Sequence, residues 1–142
     1  MKLKEKYQEL GLEVANFDLE LESKEYEACR FEVENKLTLG RTAKLTPKKN
    51  GLFVTLWKRD KNGITSPFDE FDSIDFAFIL VTEKEKSGYF KFPKETLLQK
   101  GILSTTKKDG KRGFRVYPPW ALTTSKQAEK TQQWQLHYFT KK

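Results

Sequence analysis

Two adjacent prolines, Pro118 and Pro119, constrain this chain more than any other feature of its sequence. Proline fixes φ and donates no backbone hydrogen bond, so a strand cannot run through the pair. Upstream, Phe114, Val116 and Pro118 alternate with Arg115 and Tyr117, the period-2 signature of a strand with one apolar face. Downstream, Thr124 or Ser125 can cap a helix that starts near Lys126. Residues 111–134 therefore read as strand, rigid elbow and capped helix. On that helix Lys126, Lys130, Gln133 and His137 form a polar, basic stripe. Trp134 flanks the stripe, and Ala128, Leu136 and Phe139 are expected on the buried face. The bend gathers Arg115, Tyr117, Trp120, Lys126, Lys130 and Trp134, a set of cations and rings suited to phosphates and stacked bases. The competing reading makes the rings core residues, because large apolar rings are most often buried.

Charge is distributed unevenly. Residues 1–34 hold five Lys/Arg and ten Asp/Glu, residues 35–99 twelve and eight, and residues 100–142 ten and two. The balance climbs from −5 through +4 to +8 within a net charge of +7. Such a molecule has one positive face. Nucleic acid is the commonest partner for it, followed by an anionic membrane surface or an acidic protein.

A length of 142 residues suits one domain, and eleven Phe, five Tyr and three Trp supply bulk for a core despite a hydrophobic fraction of 37%. No stretch nears the ~18 apolar residues needed to span a bilayer. Residues 1–6 lack the apolar core of a signal peptide, so a cytoplasmic location without membrane insertion is expected. The single cysteine, Cys29, cannot form an internal disulfide or a cysteine-rich zinc site, and the single histidine, His137, argues against a His-based metal centre or triad.

Hydrophobic periodicity predicts a helix over 2–10 ended by Gly11, a mixed stretch over 14–21 and a turn over 23–27. A hairpin follows. Cys29, Phe31 and Val33 alternate with polar residues, Asn35-Lys36 turns, and Leu37, Leu39, Arg41, Ala43 and Leu45 alternate on the return. Arg41 falls on the apolar side and needs a carboxylate, for which Glu27 or another acid of the first quarter is the candidate. Residues 52–57 are nearly all apolar and are expected as a central strand. Further strands are expected at 74–81, 89–92 and 102–105, with a helix opened by Pro93 and stopped at Gly101. No repeat or linker interrupts the chain. The class is α/β (α+β): a single domain over 1–142 with a mixed central sheet flanked by helices.

No glycine-rich phosphate loop and no nucleophile elbow occurs. Asp69, Glu70, Asp72 and Asp75 cluster in sequence. Glu27, Asp69, Asp72 and Asp75, with Lys44 or Lys58, are the candidates for a Mg²⁺-dependent nuclease centre. Where such enzymes place an acid-x-lysine triplet, this chain reads Leu56-Trp57-Lys58 and Thr42-Ala43-Lys44, the lysine without the acid. The leading expectation is a DNA-binding protein without catalytic activity, metal or cofactor. It would grip the backbone through Lys44, Lys48, Lys49, Lys58, Arg112, Arg115, Lys126 and Lys130, with Tyr117 and Trp120 as ring platforms. A nuclease using Mg²⁺, and an accessory factor that binds a ligand or protein in an aromatic pocket, are the alternatives.

At Tyr26-Glu27-Ala28-Cys29-Arg30-Phe31, Gly40-Arg41-Thr42-Ala43-Lys44, Phe53-Val54-Thr55-Leu56-Trp57-Lys58-Arg59 and Arg115-Val116-Tyr117-Pro118-Pro119-Trp120, the chain resembles the MepB family of small bacterial proteins. Thr124-Ser125-Lys126-Gln127-Ala128 and Thr131-Gln132-Gln133-Trp134-Gln135-Leu136 extend the match, which covers roughly residues 20–140. The resemblance implies a fold like that of restriction-endonuclease-type nucleases and nucleic-acid binding as the role.

Overall fold

Residues 1–142 are all described by the structure, a computed structural model. Helix α1 (Leu3–Gln8) is followed by β1 (Ala15–Leu19), β2 (Cys29–Val33), β3 (Lys36–Thr42), β4 (Lys44–Leu45), β5 (Leu52–Thr55), β6 (Trp57–Arg59), β7 (Thr65–Pro67), β8 (Phe76–Glu83) and β9 (Lys86–Pro93). Helix α2 (Lys94–Gln99), β10 (Gly113–Val116), α3 (Lys126–Leu136) and β11 (Phe139–Lys141) complete the chain. Six strands form the main sheet in the order β1-β2-β3-β8-β9-β11, antiparallel except for the parallel β3–β8 pair. Three form a second sheet, β10-β5-β4, and β6–β7 is a separate ribbon. The class is thus α+β, with a mixed central sheet as expected.

The β2–β3 turn is built from Glu34 and Asn35, at φ 51° and 64°, one residue earlier than the expected Asn35-Lys36, so Lys36 already belongs to β3, opposite Val33. On the main sheet's inner face Leu39, Ala77, Ile79, Val81, Phe90 and Phe92 meet Leu52, Val54 and Leu56 of the second layer and Phe114 and Val116 of β10. Each of these side chains larger than Ala77 contributes about 1.5–3 kcal/mol of burial. The opposite face is covered by α1, whose Tyr7 packs on Cys29, Phe31 and Phe78.

Two expected strands are each split between layers. Residues 37–45 change sheet at buried Ala43, whose N–H donates to Leu80 C=O (2.9 Å). Residues 52–57 break at buried Leu56, whose N–H donates to Arg112 C=O (2.8 Å). The second run is therefore not central in the main sheet, as expected, but the middle of the smaller sheet that covers it. Its near-continuous apolar composition comes from one buried face and one half-open aromatic face, rather than burial on both sides.

Residues 102–105 form no strand. Ile102 and Leu103 are buried in a turn, and only Ser104 bridges, to Asp69. The last helix also differs from expectation. It ends at Leu136, which is exposed, and the fully buried position is Gln135. Phe139 lies in β11, where it pairs with Phe90 across the sheet. Arg41 is wholly buried at the junction of the two sheets. Its carboxylate is Glu20 (Nη1–Oε1 2.9 Å) rather than Glu27, and it also donates to Thr55 C=O (3.2 Å) and Gly40 C=O (2.8 Å). An unpaired charge there would cost several kcal/mol. No helix is long and apolar enough to cross a membrane.

Candidate nucleic-acid interface

The outward face of β10-β5-β4 carries Lys44, Phe53 and Arg115 in one cross-strand row. Lys44 Nζ stands 5.2 Å from the ring centre of Tyr26, and the Arg115 guanidinium 5.7 Å from that of Phe53. Tyr26 and Phe53 meet edge to face at 6.3 Å. One strand further on, Arg59 lies 5.4 Å from the centre of Trp57 and 3.6 Å from Glu22. Phe53, Thr55, Trp57, Thr65, Arg112 and Gly113 enclose a shallow depression of about 330 Å³ between these groups. Gly113 makes room for the ring: a Cβ there would lie 2.5 Å from Phe53 Cζ.

The two arginines are anchored through part of each guanidinium and retain free donors. Arg115 donates to Asn50 C=O (3.1 Å) and to the Thr46 hydroxyl, binding β10 to the loop that presents exposed Lys48 and Lys49. Arg112 donates to Thr65 C=O (2.8 Å) and more weakly to its hydroxyl (3.3 Å). A guanidinium has five N–H groups, so each arginine keeps several for an incoming anion. Cation–ring contacts at such exposed sites are worth about 0.5–1 kcal/mol and exchange readily for a phosphate.

The elbow borders this face. Ser125 caps α3 through Ala128 N–H (3.1 Å), as the sequence predicts. Gln135 holds the strand to the helix: its amide donates to Arg115 C=O and accepts from Tyr117 N–H, both at 2.8 Å. Tyr117 lies against Gly51, where φ is 74° and a Cβ would meet the ring at 2.8 Å. Lys126 and Lys130 are exposed on α3. Trp120 is drawn into packing: it donates to Glu83 (3.2 Å) and meets Phe139 edge-on at 5.9 Å. Trp134 lies against Phe92 at 5.5 Å.

The MepB-like family matches residues 20–141, which include every strand and loop of this face. The chain belongs to the MepB-like family. A solved structure described as "Crystal Structure of MepB" is 38% identical, with a TM-score of 0.89 over 99% of this chain and 97% of that one. The chain matches no curated protein.

In this MepB-like chain the candidate acids are dispersed, with one exception. Glu27 pairs with Lys6 (3.2 Å), and Asp75 accepts from Leu37 N–H (2.8 Å). Asp69 and Asp72 do converge on Lys58, at 3.1 and 2.8 Å. Burial works against the charge on Lys58, but hydrogen bonds to Asp72 and Asp69 outweigh it and raise its pKa. Burial likewise opposes ionisation of Asp69, and the Lys58 hydrogen bond with the Phe71 N–H overrides it, holding the carboxyl below its usual range. Asp72 also accepts from Asp69 N–H (2.8 Å), and Lys94 Nζ donates to Asp72 C=O (2.6 Å). Two carboxylates thus converge on one lysine, as the nuclease alternative requires; their oxygens serve the Lys58 ammonium and the loop's own amides, and no third Asp, Glu, His or Cys joins them.

Sequence reasoning thus named Lys44, Arg112, Arg115 and the Lys48/Lys49 loop, but missed Tyr26, Phe53, Trp57 and Arg59. The available signal was the second parity of residues 52–57, where Phe53, Thr55 and Trp57 alternate with the buried leucines and valine.

Proposed function

We propose that this protein binds nucleic acid, DNA in the first instance, in the cytoplasm through the outer face of β10-β5-β4, without cleaving it. One observation carries the reading: Lys44 with Tyr26, Arg115 with Phe53 and Arg59 with Trp57 alternate cation and ring across one small surface. Two of these pairs lie on the β10-β5-β4 face, and the third stands beside it on the β6–β7 ribbon, at the depression that Phe53 and Trp57 both line. Phosphates would take the cations, and the freed rings would stack bases at about 1–3 kcal/mol each. The +8 balance after residue 99 would steer the polyanion in. Cleavage is left out because no acid stands two residues before Lys44 or Lys58, although Asp69 and Asp72 converge on Lys58.

The test is fluorescence anisotropy with a labelled single strand and a labelled duplex over a salt series. Binding should weaken linearly on a log–log plot, with a slope near the number of phosphates neutralised. Absence of salt-dependent binding to either probe at low ionic strength refutes the proposal.

A further inference from the structure

Beside this face lies a second concavity that the face does not use. It is a cleft of about 300 Å³ between the free edge of β10 and helix α3, lined among others by Lys100, Lys111, Gln127, Thr131 and Trp134. A smaller hollow of about 220 Å³ continues it past Arg115 and Tyr117 to Lys49 and Thr123. The two linings contain no carboxylate, although the chain has 20 Asp and Glu. Lys100 Nζ rests 5.3 Å from the centre of the Trp134 ring, and no acid pairs with Lys100 or Lys111.

Backbone polarity adds to this. The bond from Leu56 N–H to Arg112 C=O sets the alternation of the β5–β10 ladder. The N–H and C=O groups of Gly113 and Arg115 consequently point away from β5, to the cleft side. Gln135 occupies the Arg115 carbonyl and the Tyr117 N–H and nothing further along the edge. The Arg115 N–H therefore faces the cleft, whose lining also carries the two lysines and Thr131. The helix end is not the source of attraction, since Ser125 already caps it.

We infer that this cleft binds a nucleotide phosphomonoester, with Lys100, Lys111 and the Arg115 N–H on the phosphate and the Trp134 and Tyr117 rings beside the base. The volume is at the lower end of small-ligand sites, the size class of one nucleotide. A terminal phosphate carries up to two negative charges and three acceptor oxygens, which suits a lining with two unpaired lysines and a backbone N–H better than the single charge of a backbone diester. The ligand is either a free mononucleotide or the phosphorylated end of a strand. The second source alone rests on the proposed binding of nucleic acid.

The experiment is an amide and indole NMR titration of the full chain with deoxyadenosine monophosphate, with deoxyadenosine, and with a short single strand carrying or lacking a 5′ or 3′ phosphate. The monophosphate should shift Gly113, Arg115, Gln127 and the Trp134 indole, and deoxyadenosine should not. Lys100→Ala with Lys111→Ala should weaken the monophosphate at least about tenfold, since hydrogen bonds to charged groups are the strong ones. Lys36→Ala, exposed at the β2–β3 turn and outside both surfaces, should leave it unchanged. Shifts at the cleft that depend on phosphorylation of the strand identify its end as the source, and shifts with the mononucleotide alone identify the free ligand. If neither phosphorylated probe moves the cleft resonances, or the double lysine variant binds as tightly as wild type, the inference is overturned, whatever the sheet face does with unphosphorylated strands.

Discussion

Gln135→Leu isolates the contact that fixes the elbow. The side chain is fully buried and makes two 2.8 Å hydrogen bonds to β10, one at each end of its amide. Leucine has similar bulk but leaves Arg115 C=O and Tyr117 N–H without partners. Each orphaned group costs about 1–3 kcal/mol, and the added apolar burial returns roughly 1 kcal/mol, for a net loss of about 3 kcal/mol. For a domain of this size that lowers Tm by about 10 °C. Scanning calorimetry measures the change, with exposed Gln133→Leu as a control that should barely move. Gln135→Glu sharpens the argument, because it replaces the amide donor with an acceptor facing a carbonyl. Burial would raise the folded pKa of that glutamate above its unfolded value near 4.3. The penalty is then full above the raised value and fades as pH falls towards the unfolded one, where a protonated carboxyl can donate again. A Tm change under about 2 °C for the leucine variant, or a pH-independent deficit for the glutamate variant, refutes the role assigned to this amide.

The other expectations concern separate parts of the molecule. Lys44→Ala with Arg115→Ala should lower the log–log salt slope of nucleic-acid binding by about two units; an unchanged slope removes these residues from the interface. Lys58→Met should lower stability at neutral pH by about 1 kcal/mol, a figure already reduced for the partial exposure of the cluster. The depressed Asp69 pKa means that its share of the staple is present above the unfolded carboxylate value and lost as pH falls through the lower, folded one. Urea midpoints of wild type and Lys58→Met should therefore converge in strong acid, and a gap that persists there contradicts the ion-pair account. Burial pushes the Cys29 thiol up to about 12. The native protein should resist an aromatic disulfide reagent at mildly alkaline pH and release one equivalent only in denaturant, whereas rapid native labelling would contradict this burial. Plasmid incubated with protein and Mg²⁺ or Mn²⁺ should stay intact; cleavage that Asp69→Asn abolishes would restore the nuclease reading.

Local features were read accurately from the residues. The Ser125 cap, the stop at Pro118-Pro119, the β2–β3 hairpin and the buried Arg41 each depend on chemistry within a few positions. The sheet changes at Ala43 and Leu56 were not legible. Both residues continue the alternation around them, and neither is a Gly or a Pro. What breaks the second strand is a pairing with β10, some sixty positions later. Strand β11 escaped for the same reason, as three residues whose partner is β9.

By itself the sequence determined the family, the order of most elements, the charge gradient and the rigid elbow, because these follow from spacing, composition and local backbone limits. Tertiary structure alone decided what covers each face. Alternation along residues 52–57 announces two faces, and only the stacking of the small sheet on the main one buries Leu52, Val54 and Leu56 and leaves Phe53 and Trp57 beside Arg115 and Arg59. The same packing took Trp120 into contact with Phe139 and gave Lys58 to Asp69 and Asp72. A side chain's partner is set by which distant segment arrives next to it, and local sequence does not encode that distance.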